Sequence, residues 1–432
     1  METDMTDPLR LGIAGLGTVG TGVVKIVRQK ASLLAARAGR PITISAISAR
    51  TRDKDRGVTL SDYAWEDDPV ALATRDDVDV FVELMGGSDG PAKAATEAAI
   101  AAGKDVVTAN KAMLAHHGQA LAIAAENAGR VLRFEAAVAG GIPVIKALTE
   151  GLAGNEITRV MGVMNGTCNY ILTRMQSAGL PYDTVFDEAA QLGYLEADPT
   201  LDVGGIDAGH KLSLLASIAF GTQVDFDAVD LEGIEKVTIA DISHAADMDY
   251  RIKLLGVARM TGRGLEQRMS PCLVPADSPL GQLEGGTNMV VLEGDMVEQI
   301  VLRGPGAGEG PTASAVMGDV MDIARGCRVS TFGQPAKGLQ KAQSALGATP
   351  APYYLRMALE DKPGALAKVA AVLGEAGISI DRMRQYRHDD TTAPVLIVTH
   401  KTTRSALDAA LDAMSRLDVV ATEPVALRIE TV

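Results

Sequence analysis

Aromatic side chains are scarce in this sequence, at 3% of 432 residues, so its cores must be built mostly from Ala, Val, Leu, Ile and Met. Cysteine is nearly absent. Cys168, Cys272 and Cys327 are odd in number and far apart, which gives neither a disulfide framework nor a cluster of metal ligands. No apolar run is long enough to span a bilayer. Residues 1–10 are acidic and lack the apolar stretch of a signal peptide, so a reducing cytoplasm is the expected compartment. Positive charge is in deficit. The formal net charge of −14 argues against a nucleic-acid or anionic-membrane partner. It still admits a phosphorylated ligand, because a local glycine-rich turn binds phosphate even within an acidic protein.

Hydrophobic residues make up 47% and charged residues 22%, the composition of a soluble globular protein. The length leads to an expectation of two to three domains. Residues 9–14 (LRLGIA) read as a buried strand, 15–20 as a glycine-rich turn and 19–38 as a helix, with Val23, Val24, Ile26 and Val27 near one face. Strands follow at 42–48, 78–84, 105–108 and 131–134, and helices at 92–102 and 117–128. Such alternation predicts an α/β unit, a parallel sheet with helices on both faces. After about residue 140 the rhythm changes. Helices at 182–193 and 205–220 precede strand-like runs at 236–240, 251–260, 270–274 and 288–302, which suits a second, α+β domain. A glycine-rich stretch opening at 303 runs into a helix at 313–324. Residues 343–352 (QSALGATPAP) have the composition of a linker. The block 353–430 reads strand–helix–strand–strand–helix–strand, enough for a small ferredoxin-like sandwich.

The turn Gly15-Leu16-Gly17-Thr18-Val19-Gly20 matches G-x-G-x-x-G between a strand and a helix. In such a turn the first glycine permits the tight bend and the second lets the backbone approach a pyrophosphate. The third lets the helix pack on the sheet with its N-terminal N–H groups toward the phosphates. Sites for NAD usually have a carboxylate at the end of the second strand. Here Ser48-Ala49-Arg50-Thr51-Arg52 has none. Arg50 suits pairing with a 2′-phosphate, hence NADPH over NADH. It equally suits a solvated charged loop, since Arg52, Lys54 and Arg56 follow.

Residues 193–207 carry four carboxylates, among them Glu196 and Asp207, and Lys211 follows one helical turn after Asp207. An i,i+4 Asp–Lys pair is usually a weak surface ion pair. The next residues, LSLLASIAF, are almost wholly apolar, so this helix should be buried. Buried Asp and Lys are uncommon unless paired or functional. Reduction of a carbonyl by hydride leaves an alkoxide that must be protonated, and a held lysine suits that task. Glu196 and Asp207 suit the ammonium of an amino-acid substrate. Lys111 follows a strand at the carboxyl edge of the sheet, where ligands bind in such folds.

At these residues the sequence resembles the homoserine dehydrogenase family. The matching stretches are GLGTVGTGV (15–23), ELMGG (83–87), VVTANKAML (106–114), FEAAVAGGIPVI (134–145), GVMNGTCNYILTRM (162–175), GYLEADPTLDVGGIDAGHKLSLLASIAFG (193–221) and GPGAGEGPTASAV (304–316). The resemblance implies a Rossmann-type nucleotide domain at 1–140 with 304–342 packing back on it. A catalytic and dimerisation domain would span 141–303. It implies NADPH or NADH in a site with Gly15, Gly17, Thr18, Val19, Gly20, Arg50, Lys111, Gly193 and Gly308. Glu196 and Asp207 would hold the amino group of L-aspartate 4-semialdehyde, with Lys211 as proton donor and Lys111 a second lysine at the reacting centre. A monovalent, sodium-like cation would lie on main-chain groups of Glu135, Val138, Gly140 and Ile142. Cys168 and Leu195 depart from the usual Thr and Ala; Leu195 neighbours Glu196 and so bears on the pocket shape, whereas Cys168 reads as a packing residue.

After the linker, 353–432 resembles an ACT regulatory domain through LEDKPGALAKVAAVL (359–373), EAGISIDRMRQ (375–385) and PVLIVTHKT (394–402). The resemblance implies an effector, threonine being the natural one, at the turn 361–366, and a homo-oligomer, dimer or tetramer. The nucleotide fold starts at Leu9, so no kinase segment is expected before it. Two rivals stand: another amino-acid dehydrogenase, which need not have the Glu196, Asp207 and Lys211 arrangement, and a sensor that binds NADPH without chemistry.

Overall fold

The computed structural model describes residues 7–195, 198–386 and 391–431. Its first sheet holds β1 (Leu9–Ala14), β2 (Ile42–Ser48), β3 (Ala64–Trp65), β4 (Val80–Glu83), β5 (Asp105–Thr108) and β6 (Leu132–Arg133), in the order β3-β2-β1-β4-β5-β6. Every pairing in it is parallel. Leu11, Ile13, Ile47, Val80 and Val82 are buried, as expected of strands covered on both faces. The chain winds outward from β1 in both directions, so a crevice opens above the carboxyl ends of β1 and β4.

The helices differ from expectation at their ends. Residues 19–38 form two helices, Thr18–Gln29 and Ala31–Ala38, because Lys30 leaves the helical region at φ −117. The helix expected from 117 begins at Lys111 and runs Lys111–Asn127, since the Asn110 side chain caps it by accepting from the Met113 N–H at 3.0 Å. Strand β3 and the helix Pro69–Thr74 are too short for periodicity to reveal. The helix Glu309–Ala324 returns the chain to this unit and packs on Thr18–Gln29, with Lys25 and Glu309 paired at 2.7 Å.

The second sheet holds β7 (Ile157–Val163), β8 (Asp230–Leu231), β9 (Tyr250–Thr261), β10 (Gly264–Pro275), β11 (Thr287–Gly294), β12 (Glu298–Pro305), β13 (Tyr353–Glu360), β14 (Ile380–Gln385), β15 (Thr392–Thr399) and β16 (Val425–Ile429). The order is β12-β11-β7-β9-β10-β16-β13-β15-β14, with β8 beside β10. The run 288–302 is a hairpin of β11 and β12 rather than one strand. The strand expected at 236–240 is absent. Thr238 and Asp241 form a reciprocal capping box that starts the helix Ile239–Ala246, and this local bonding overrides the β-branched composition. The helix Ile206–Phe220 packs against β9, β10 and the helix Lys111–Asn127, which explains its nearly all-apolar sequence.

The tail strands have the ferredoxin-like order β16-β13-β15-β14 and are sheet-continuous with the rest, because β16 pairs in parallel with β10. Buried charges cross this seam. Arg268 and Arg428 both bond Glu430, and Arg159 pairs with Glu293 and lies 3.6 Å from Glu430. Residues 343–352 run along the same seam. The Leu265 N–H donates to the Gln343 carbonyl at 2.9 Å, and Ala351 pairs with Thr402.

Candidate active site

The glycine-rich turn leaves β1 at the centre of the first sheet. Gly15 has φ +100, and a Cβ there would lie 2.3 Å from the Leu84 carbonyl oxygen. A Cβ at Gly20 would lie 1.9 Å from the Gly15 carbonyl oxygen. Both glycines are thus demanded by packing. At Gly17 a Cβ would meet nothing within 4 Å, so that side of the turn is open. Gly17 is the N-cap of Thr18–Gln29 and carries no capping side chain, which leaves N–H groups at the first turn for a ligand. Gly308, at φ +113, precedes Glu309–Ala324 in the same uncapped way. Both helix starts open on one cleft of about 560 Å³, lined by Thr18, Val19, Gly308 and Thr312 on that side.

Across the cleft lie Lys111, Asp207 and Lys211. Lys111 Nζ is 2.7 Å from Asp207 Oδ1, and Lys211 Nζ is 2.7 Å from Asp207 Oδ2. Lys211 also donates to the Met164 carbonyl at 2.9 Å, which Asn288 bonds as well at 3.1 Å. Asp207 sits in the first turn of its helix, where the dipole favours an anion. Burial pushes its carboxyl up, but the two lysines outweigh burial and hold it well below the usual range. Behind Lys211, His210 packs on Phe226, and burial depresses its imidazole to about 4.

The far wall comes from Asn165, Thr167, Gly193 and Tyr194. Asn165 caps the helix Gly166–Ala178 through the Cys168 N–H and donates to Asp202 at 2.9 Å. Thr167 donates to the Tyr194 carbonyl at 3.0 Å, and Tyr194 stacks on Tyr170 at 4.5 Å. Cys168 is fully buried, with its thiol pushed well up by burial, and bonds the Asp202 carbonyl at 3.3 Å. Leu195 flanks this wall, half-buried. Glu196 lies outside the described residues.

Arg50 stands exposed just beyond β2, next to the turn, since Gly15 N–H bonds the Ser48 carbonyl. Its neighbours hold other partners, one of them in the turn itself. Arg52 lies over Trp65 at 5.7 Å, and Arg56 donates to the Leu16 carbonyl at 3.0 Å. Glu135 opens the short helix Glu135–Val138, and Gly140 and Ile142 lie in the loop after it. Val138 and Gly140 line the cleft. The Glu135 carboxylate accepts from the Ile145 and Lys146 N–H groups at 2.9 Å each, and burial raises it. Gly140 has φ +56, and a Cβ there would lie 2.3 Å from the Gly306 carbonyl oxygen. The Ile142 carbonyl accepts from the Val144 N–H at 2.8 Å. Among the described residues no group of three or more His, Cys, Asp or Glu side chains suits a metal ion.

The site therefore brings together Thr18, Val19, Lys111, Gly193, Asp207, Lys211 and Gly308, with Val138 and Gly140 alongside. Sequence reasoning gave no role to Asn165, Thr167, Asp202 and Asn288. The one available signal was Asn165-Gly166-Thr167, an N-cap pattern ahead of a helix.

A family model described as the homoserine dehydrogenase NAD binding domain matches residues 15–135. A second, described as homoserine dehydrogenase, matches 143–321, and an ACT domain model matches 353–419. The chain is 43% identical to a homoserine dehydrogenase of Neisseria gonorrhoeae, covering 98% of this chain and 99% of that one. It superposes on a homoserine dehydrogenase from Thiobacillus denitrificans with a TM-score of 0.93 at 39% identity, covering 99% of each. A hyperthermophilic archaeal homoserine dehydrogenase mutant in complex with NADPH gives a TM-score of 0.62 at 27% identity over 73% of this chain and 97% of that one. Sequence, fold and a cleft built from matching stretches agree along the whole length, and the chain belongs to the homoserine dehydrogenase family.

Proposed function

We propose that this cleft reduces L-aspartate 4-semialdehyde to L-homoserine with a nicotinamide cofactor. The observation that carries the reading is the Lys111–Asp207–Lys211 cluster, at 2.7 Å on each side, in a cleft that also opens on two uncapped helix starts. The residues fit a dinucleotide: the open face at Gly17 and the N–H groups after Gly17 and Gly308 suit a pyrophosphate. When bound, the cofactor supplies the hydride that reduces the aldehyde carbon. Arg50, exposed beside the turn, suits a 2′-phosphate, and on that ground NADPH is preferred.

Asp207 stays ionised and pairs with both lysines. Lys211 gives its proton to the oxygen that becomes the homoserine hydroxyl, and the Met164 carbonyl and Asp207 hold its Nζ for that transfer. Lys111 stands on the opposite carboxylate oxygen and steadies the developing negative charge. Glu196 and Asp207 receive the substrate ammonium. A monovalent cation would be held by the main chain of Glu135, Val138, Gly140 and Ile142, in a loop that the Gly141 N–H already ties to the Pro305 carbonyl at 3.0 Å. The Gly140 carbonyl bonds no donor among the described residues and so fits that use, whereas the Ile142 carbonyl already holds Val144. The Glu135 side chain is occupied in capping and does not compete for the ion.

The tail is proposed to bind threonine at the turn 361–366, where Gly364, at φ +87, starts the helix Ala365–Glu375. The chain is further proposed to form a homo-oligomer through the second domain, 141–303. Lys211→Ala tests the central reading. Turnover should fall by about 10²- to 10⁴-fold, the usual share of a general acid, with NADPH affinity kept. Unchanged turnover would return the chain to the reading of a sensor that binds cofactor without chemistry.

A further inference from the structure

Glu83 ends β4 with no exposed surface, and its hydrogen-bond partners among the described residues are all uncharged. A buried carboxylate without an ion pair stands only when hydrogen bonds satisfy it. They do so here. One oxygen accepts from the Thr108 hydroxyl at 2.6 Å, and the other from the Met85 N–H at 2.7 Å and the Gly86 N–H at 3.3 Å. Glu83 and Thr108 are register partners on β4 and β5, so the contact is set by the sheet itself.

The network does not stop at Thr108. The Thr108 hydroxyl oxygen accepts from the Asn110 N–H at 2.9 Å. The Asn110 side chain accepts from the Met113 N–H at 3.0 Å and donates to the Gly87 carbonyl at 2.7 Å. The next residue is Lys111, whose Nζ meets Asp207 at 2.7 Å. Packing alone needs no charge at this place. A fully satisfied polar network instead selects one arrangement of the groups it joins. Those groups are the loop at 85–87 and the helix start that carries Lys111.

We propose that Glu83 is a positioning residue for the reaction: through Thr108 and Asn110 its carboxylate sets the place from which Lys111 reaches Asp207. The inference rests on the assignment of Lys111 to the reacting centre, which Lys111→Met tests separately by its own effect on turnover.

The experiment compares Glu83→Gln, Thr108→Val and the double variant in the full chain. Gln keeps the size and an oxygen for the Met85 and Gly86 N–H groups, but its amide nitrogen cannot accept from Thr108. Thr108→Val is isosteric and should fold even where Glu83→Gln does not. Each single variant should lower kcat by about 10- to 100-fold, the scale of a misplaced reacting group, with the KM for NADPH within about threefold. The double variant should lose no more than the worse single, because both act through one chain of hydrogen bonds. Unchanged kcat in both single variants overturns the proposal. So do additive losses, or a rise in the KM for NADPH equal to the loss in kcat, which would assign Glu83 to the loop at 85–87 alone.

Discussion

Asp207 is the residue on which the site turns. It lies one helical turn from Lys211, so their pairing can be read from spacing. Its second partner, Lys111, is distant in sequence and comes from another helix, and spacing gave no sign of that contact. What was legible was the residue type: a carboxylate and a lysine at the start of an apolar helix. What was not legible was that both lysines share one carboxylate. Asp207→Asn keeps the shape and removes the charge that stabilises two ammonium groups. We expect kcat to fall by at least about 100-fold, because both lysines lose the carboxylate that holds them in place. A kcat within about threefold of the parent would show that Asp207 does not place the lysines.

At the scale of elements, the glycine-rich turn separates packing from binding. Gly20→Ala places a Cβ 1.9 Å from the Gly15 carbonyl oxygen and should cost the fold dearly, with soluble yield and Tm both falling. Gly17→Ala meets nothing within 4 Å and has φ −78, so Tm should hold while the Kd for NADPH rises by tenfold or more, about 1.4 kcal/mol. Equal effects of the two on Tm would contradict the assignment of Gly17 to the ligand. Strands β2 and β5 were readable to the residue, because short apolar runs there follow clear turn signals, Gly39-Arg40-Pro41 and Gly103. The segment 236–240 misled because Val237, Thr238 and Ile239 are β-branched, and propensity yields to the Thr238–Asp241 capping box. Thr238→Ala should therefore cost about 1 kcal/mol in urea unfolding with kcat unchanged.

For the whole molecule, the joining of the tail to the second sheet was the least legible feature. The strands of the tail and the linker-like composition before them suggest a separate module. The parallel pairing of β16 with β10 depends on residues far apart, and no local pattern announces it. Its charges make the seam sensitive to acid. Burial pushes the Glu430 carboxyl up, but Arg268 and Arg428 outweigh it and hold the folded value below the unfolded one. The stabilisation from Glu430 is thus complete above the unfolded value of about 4.3 and fades as the pH falls through the lower folded value. Glu430→Gln should lower stability at pH 7 by about 3 kcal/mol, since it leaves buried arginines without their counter-ion. Unfolding followed by probes in the tail and on the strands β7, β9 and β10 should show the tail melting together with the rest of the second sheet. A separate early transition of the tail would refute the structural continuity of that seam.

The most direct measurement mixes the purified protein with L-homoserine and follows cofactor reduction, with NADP⁺ and NAD⁺ in parallel and sodium or potassium present. The account predicts turnover with NADP⁺ preferred, and loss of that preference in Arg50→Ala. Preference for NAD⁺ would keep the reaction and discard the role of Arg50. No turnover with either cofactor, while both still bind, would contradict the account at its centre.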